Sequence, residues 1–311
     1  MEHFVTLFDS LFLPQGLALH LSMIRNVKTF TLWIICMDEE VYEALEKIKL
    51  SQVSLLKLSE VETEELRLVK RSRTKAEYCW TVTPFAPRFV FEADSQVKRV
   101  TYIDADMWFR KAPNCIFEEF ENSGKNILIT DHSYAPEYDL SSLSGQYCVQ
   151  FMIFVRDSSE KVRKLWEEKC VDWCFNRYEN GKFGDQKYLD EWPTIFNLDV
   201  HVLSNKELIL APWNSTRFPF GNSVCYHFHS LRILTNNNVD IGSFKIPYPT
   251  INNIYKPYLK DLRKSLDESR RISLKFKSQK KTYYILKRLF SKLFYLHQYM
   301  YNKLRFGIID F

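Results

Sequence analysis

Along the first 235 or so residues, short runs of unbroken apolar side chains alternate with longer stretches in which apolar residues recur every three or four positions. The runs in "FVTLFDS" (4–10), "FTLWIICMD" (30–38) and "VSLLKL" (53–58) predict buried strands, and the spacing in "LPQGLALHLSMIRN" (13–26) and "EEVYEALEKI" (39–48) predicts helices between them. Residues 62–95 read as mainly helical, broken by Pro84 and Pro87 near Arg88. "RVTYIDADMWF" (99–109), "NILITDHS" (126–133) and "GQYCVQFMIFVR" (145–156) add strands, and 158–180 reads as an amphipathic helix. A glycine-bounded loop, "GKFGDQKYLDEWP" (181–193), is expected to enter a short helix that Pro193 stops; "LAPWN" (210–214) and "VCYHFHS" (224–230) close the body. Strands that alternate with helices predict an α/β fold with a mostly parallel sheet covered on both faces. Ligands of such sheets sit outside the carboxyl ends of the strands, where Asp9, Asp38, Asp104, Asp106 and Asp131 are all expected to lie.

The pattern changes near residue 245, so a body over 1–244 and a linker with a helical tail over 245–311 are expected. Charge sharpens that boundary. The chain of 311 residues has a net charge of +5, but residues 270–309 hold eleven Lys and Arg and no acid, which leaves the rest of the chain with 32 basic against 38 acidic side chains. Within the tail Ile285, Leu289, Leu293, Leu296, Met300 and Leu304 recur at helical spacing among the cations. An amphipathic basic helix of this kind suits an anionic membrane surface. Its bland counterpart is a helix packed on the body with an ordinary solvated basic face. The regular apolar stripe argues against a nucleic-acid tail, which would need charge alone.

Seven cysteines lack CxxC pairs and are odd in number, which predicts neither a disulfide framework nor a zinc ribbon and fits a reduced, cytoplasmic setting. No signal peptide or unbroken membrane span is read from the chain. Glycine is scarce, at eight residues, and neither GxGxxG nor GxxxxGK[ST] occurs, so a glycine-rich phosphate loop is not the binding device.

Two aspartates one residue apart at the end of an apolar strand are costly unless something neutralises them. In a regular strand they share a face but stand about 7 Å apart, so they converge on one ligand only if the strand turns. A hard divalent cation, Mn2+ or Mg2+, prefers such oxygens and keeps open positions for phosphate. A surface turn or helix cap is the plain alternative for any short acidic pair.

"RFVFEADSQVKRVTYIDADMWF" (88–109), "FGDQKYLDEWP" (183–193) and "YHFHS" (226–230), in this order and spacing, resemble the three motifs of GT-A glycosyltransferases, particularly retaining family 8, which includes glycogenin and bacterial lipooligosaccharide galactosyltransferases. The chain also resembles bacterial glycosyltransferases of surface polysaccharides. The likeness covers residues 1 to about 235 and implies a GT-A nucleotide-diphospho-sugar transferase fold with a helical basic C-terminal extension. It further implies a metal-dependent hexosyltransferase that moves sugar from a nucleotide-sugar, a UDP-sugar above all, to an oligosaccharide or lipid-linked acceptor in lipopolysaccharide or capsule synthesis. The basic tail would then hold the enzyme at the inner face of the bacterial inner membrane.

Carried onto this chain, the resemblance makes Asp104, Asp106 and His227 metal ligands, with Asp104 also near the donor ribose and His229 competing with His227. Phe8, Asp9 and Ser10 fall where the base is held, Arg88 where a cation clamps the donor, and Arg232 where a pyrophosphate-binding lysine stands, although the usual Lys-Pro-Trp is absent. Asp185 and Gln186 match the Asp-Gln pair beside the reacting sugar, and Asp131 an edge of the donor or acceptor site. Gly184-Asp185 also has the makings of a plain helix cap. The departure is "YCVQF" (147–151), where the family has Asn-x-Gly; Gln150 is expected to supply the amide. Two other readings compete: a sugar-nucleotide pyrophosphorylase, which needs a glycine-rich loop after the first strand, and a membrane-associated binding module without turnover.

Overall fold

The apolar runs form strands and the periodic stretches helices in the computed structural model, which describes residues 1–219, 221–234, 238–272 and 309–310. In chain order these are β1 (Glu2–Phe8), α1 (Leu13–Asn26), β2 (Phe30–Cys36), α2 (Glu39–Ile48), β3 (Val53–Lys57), α3 (Leu58–Val61), α4 (Glu64–Lys70), α5 (Lys75–Val82) and α6 (Ala86–Ala93). There follow β4 (Arg99–Ile103), β5 (Met107–Phe109), α7 (Asn114–Ser123), β6 (Ile127–Asp131), α8 (Ser141–Ser144), β7 (Tyr147–Val155), α9 (Glu160–Asp172), α10 (Trp192–Ile195), β8 (Val200–Val202) and β9 (Ile209–Leu210). The remainder holds β10 (Cys225–His227), β11 (Arg232–Ile233), β12 (Asn238–Asp240), α11 (Tyr248–Thr250), α12 (Lys256–Arg271) and β13 (Ile309–Asp310).

The main sheet has the order β3-β2-β1-β4-β7-β6-β8. Every neighbouring pair is parallel except those made by β7, which runs antiparallel to both β4 and β6. Strands such as β1, β2 and β7 are buried almost throughout because helices cover both faces, and this is why they read as unbroken apolar runs. One face packs on α1, α2 and α7 through Phe4, Leu17, Leu45, Ile116 and Phe120; the other packs on α5, α6 and α9 through Val82, Phe89, Val90 and Trp166. Asp38 starts α2 by accepting the Val41 N–H at 2.8 Å, so the acid after β2 is spent on a cap.

Three local expectations are corrected. The run 99–109 is two strands, because at Asp104 the chain turns, with the Met107 N–H on the Asp104 carbonyl at 3.1 Å, and β5 leaves to join a small sheet of order β5-β10-β9. The helix expected over 158–180 ends at Asp172, with Trp173 extended. Pro193 does not stop a helix; it lies in the first turn of α10, where its missing N–H costs nothing.

Helix α12 lies within the expected tail but packs on the body. Tyr255, Tyr258, Leu259 and Leu262 share a core with Trp108, Tyr226 and Phe228 of the β5–β10 sheet and its flank. Asp261, buried, accepts from the Trp108 indole at 2.9 Å and from both terminal nitrogens of Arg25 on α1, at 3.2 and 2.5 Å. Asp261→Ala is expected to lower unfolding free energy by about 2 kcal/mol, because the buried indole N–H loses its acceptor while the half-exposed Arg25 rehydrates. A urea midpoint that does not move would contradict this. The basic amphipathic stretch 285–304 lies outside the described residues, and among those described no helix is long and apolar enough to cross a membrane.

Candidate metal and donor site

The site is assembled where β4 ends. The Asp104 N–H makes the last rung onto β7, donating to the Gln150 carbonyl at 3.2 Å, and the turn that follows brings Asp106 back toward Asp104. Strand β5 then pairs antiparallel with β10 so that Met107 stands opposite His227, and the Phe228 N–H donates to the Asp106 carbonyl at 2.9 Å. His227 Nε2 thereby lies 3.1 Å from Asp106 Oδ1 and 3.8 Å from Asp104 Oδ2. The three side chains offer ligand atoms all within 4.8 Å of one another. The 3.1 and 3.8 Å separations from His227 fall within the roughly 4.2 Å that two ligands of one ion can span, and two carboxylates with one imidazole suit Mn2+ or Mg2+ with positions left for phosphate.

The charges of the three side chains set one another's ionisation. Burial pushes the Asp104 carboxyl up, and His227 works against it. Burial also opposes ionisation of Asp106, but the charge and hydrogen bond of His227, with help from His229 and Arg232, hold it at about 2. His227 is correspondingly raised well above its ordinary value: burial lowers it, and Asp106 more than offsets this. Tyr102, whose hydroxyl donates to Asp104 Oδ1 at 2.9 Å, fixes that carboxylate. Tyr102 was not singled out from the sequence, although it lies two residues before Asp104 on the same strand face.

Asp185 carries the second half of the site. It is buried, its Oδ2 has no hydrogen-bond partner among the described residues, and burial drives its carboxyl well above the ordinary range, with Cys174 and Asp104 adding to the rise. The cap reading does not hold, since Asp185 precedes a 3-10 turn over Gln186–Glu191 and its side chain makes no capping bond. Gly184 makes the turn into it at φ +52°, with the Trp80 ring 3.5 Å from where a Cβ would stand.

The other expected residues divide. His229 is exposed and leans on Trp213, ring centroids 5.3 Å apart, so of the two histidines only His227 joins the acidic pair. Arg232 is close enough for its charge to help ionise Asp106. Gln150 is fully buried and its Oε1 accepts from His227 Nδ1 at 2.9 Å. Asp9 turns one oxygen to the Leu11 N–H at 3.1 Å, and burial and then Asp38 raise its carboxyl; the Ser10 N–H and hydroxyl both donate to Asp38.

The remaining four are held by contacts within the chain. The Phe8 ring packs in the core against Gly16, so only its backbone lies at the strand end. Arg88 lies on α6, paired with Glu92 at 2.7 Å and Glu167 at 3.6 Å. Gln186 donates to the Ser144 carbonyl at 2.7 Å, holding the 141–144 turn. Asp131 is held by Lys206 at 2.9 Å, Gln146 at 2.7 Å and the Ser133 N–H at 2.6 Å, and these contacts, against burial, keep its carboxyl low.

No protein-family model matches the chain. The uncharacterized protein YfnF of Bacillus subtilis strain 168 is 30% identical over 245 residues, which cover 73% of this chain and 80% of that protein. Among solved structures, mouse xyloside xylosyltransferase 1 in its apo form superposes with a TM-score of 0.52 at 14% identity, over 74% of this chain and 98% of that one. The galactosyltransferase LgtC, solved with donor and acceptor sugar analogs, gives 0.53 at 10% identity, over 84% and 95%. At these identities the structural likeness is one of fold: a mixed sheet flanked by helices. The chain belongs to the family of YfnF, and its fold is the GT-A fold of family 8 glycosyltransferases.

Proposed function

We propose that this protein is a metal-dependent glycosyltransferase that moves a sugar from a nucleotide-sugar, a UDP-sugar first of all, to a glycan acceptor. The observation that carries this reading is the convergence, on a GT-A fold, of a metal-spaced Asp104–Asp106–His227 cluster with a buried Asp185 whose Oδ2 has no partner among the described residues and whose carboxyl Asp104 helps to raise. Asp104, Asp106 and His227 would hold a divalent cation, whose charge would neutralise the departing diphosphate. Arg232 adds a second positive charge on the same side of the site. Asp185 accepts hydrogen bonds from donor-sugar hydroxyls, which resolves the cost of its burial. Asp9 and Ser10 receive the base, the Asp9 carboxylate selecting an edge that carries an N–H.

Gln186 is an amide, a poor nucleophile, and supports attack by the acceptor from the face the diphosphate leaves, hence retention, over a covalent intermediate. Glycosidase chemistry would need one carboxyl as acid and another as base or nucleophile on either side of the bond. Here two carboxylates and a histidine point at one another instead. The acceptor is a lipid-linked or other surface glycan such as lipopolysaccharide or capsule, reached through the basic segment 270–309 on an anionic inner-membrane surface. A pyrophosphorylase finds no support, since β1 leads through "DSLFLPQG" rather than a glycine-rich loop.

The test is a thermal-shift screen of the full-length chain against nucleotide-sugars and free nucleoside diphosphates, with Mn2+ and with EDTA. A ligand that binds only the folded state stabilises it by RT ln(1 + L/Kd), where L is the free ligand concentration, so the shift grows with ligand concentration over its Kd. Stabilisation by a UDP-sugar that vanishes in EDTA is expected. No metal-dependent shift with any nucleoside diphosphate would end the donor-site reading, and a shift without sugar transfer would favour the binding module.

A further inference from the structure

We infer that Gln150 is a positioning residue for the metal site: its side-chain carbonyl fixes the tautomer and ring direction of His227, so that Nε2 is the nitrogen offered between Asp104 and Asp106. The inference rests on the metal site proposed above and concerns how this chain builds it.

Gln150, on β7, touches two of the three candidate ligands, and Cys148 of the same strand also meets the His227 side chain. Its backbone carbonyl accepts the Asp104 N–H at 3.2 Å, and its Oε1 lies 2.9 Å from His227 Nδ1. An amide oxygen only accepts, so Nδ1 carries the hydrogen, and in the neutral imidazole Nε2 is left with the lone pair a metal needs. The ring is held on other sides as well: Trp213 meets it edge-on at 5.4 Å, and Met107 stands opposite it across β5–β10. Among the described residues no other hydrogen bond explains the buried Gln150 side chain in an apolar strand, since its Nε2 has no partner there. A buried amide with half of its hydrogen-bonding capacity unmet costs stability, and an isosteric apolar residue would pack there more cheaply. The cost is accounted for if the other half sets a metal ligand. Partners of this kind, which orient a ligating imidazole from behind, typically change metal affinity 10- to 100-fold when removed.

The experiment measures the Mn2+ dissociation constant of the full-length chain by the EPR signal of free aqueous Mn2+, with no donor present, for the wild type, Gln150→Leu and Gln150→Glu. Melting in EDTA is recorded for each. Gln150→Leu is expected to weaken Mn2+ binding by about 10- to 100-fold without a lower melting temperature in EDTA. Gln150→Glu, which keeps an acceptor for Nδ1–H, is expected to bind within about threefold of wild type, as carboxylates serve the same office behind other metal-bound histidines. If Gln150→Leu does not fold, Gln150→Asn, which withdraws the carbonyl by one methylene, stands in with the same expected weakening. Undiminished affinity in the Leu or Asn variant, or equal loss in Glu and Leu, overturns the inference while leaving the metal site intact. A wild-type chain that binds no Mn2+ overturns the metal site and the inference together.

Discussion

Asp106→Asn is expected to lower sugar transfer by about a thousand-fold, equivalent to ~4 kcal/mol of transition-state stabilisation. Three consequences of the single oxygen-to-nitrogen change combine. An anionic ligand becomes a neutral one that shares its donor position with N–H groups, so the cluster offers less charge to a divalent cation. His227 loses the closest of its two acidic neighbours, at 3.1 Å, and retains Asp104 at 3.8 Å. The developing charge on the diphosphate then meets a weaker field in a buried site, where each charge counts for more than it does in water. Backbone geometry should survive, because the Asp106 carbonyl still accepts the Phe228 N–H. The measurement is initial-rate release of nucleoside diphosphate at several Mn2+ concentrations; a variant that keeps more than about a tenth of wild-type turnover at all of them removes Asp106 from the ligand set.

Asp185→Asn separates function from stability. The variant is expected to lose about a hundred- to a thousand-fold in transfer, because the donor hydroxyls then meet an amide instead of a full charge. It is also expected to be more stable than the wild type without ligand, by about 1–3 kcal/mol near neutral pH, since it removes a buried carboxylate with an unmet oxygen. The pH dependence has a definite sign. The folded-state value of Asp185 is raised, chiefly by burial, above its ordinary 3.8. Below that ordinary value the group is protonated folded or unfolded and contributes nothing. As pH rises from there through the folded value, the unfolded chain releases its proton more readily, so wild-type stability falls. The advantage of Asp185→Asn in EDTA should therefore grow as pH rises from the ordinary carboxylate range toward neutrality in urea unfolding. An advantage that is flat or shrinks over that range contradicts the burial of an unpaired carboxylate.

How far the chain could be read before its fold was known depended on the range of the forces involved. The β1–α1–β2–α2–β3 succession was legible because each element is set locally: α1 occupies the residues 13–26 that its apolar spacing outlines. Asp104 and Asp106 stood out because two acids at the end of an apolar strand conflict with burial. The break between β4 and β5 was not legible, since the strand that draws β5 away, β10, lies more than a hundred residues later. Gln150 could be flagged as a departure from the family motif, but its partner His227 is 77 positions away. The docking of α12 through Asp261, 236 positions from Arg25, likewise leaves no local trace; charge in the tail drew attention instead. Arg88 differs in that one of its partners is local. A cation at a suggestive distance from the DxD pair pairs with the nearer carboxylates of Glu92 and Glu167, the first of them one helical turn away.

The central claim is that Asp104, Asp106 and His227 hold the ion that receives the donor diphosphate. Crystals of the full-length chain grown with MnCl2 and UDP, measured for anomalous scattering from manganese, test it most directly. The account predicts a single strong peak at about 2.1–2.2 Å from carboxylate oxygens of Asp104 and Asp106 and from His227 Nε2, with the UDP phosphates completing the coordination. A manganese peak elsewhere, or UDP bound with the three side chains still paired to one another and no metal between them, would contradict it.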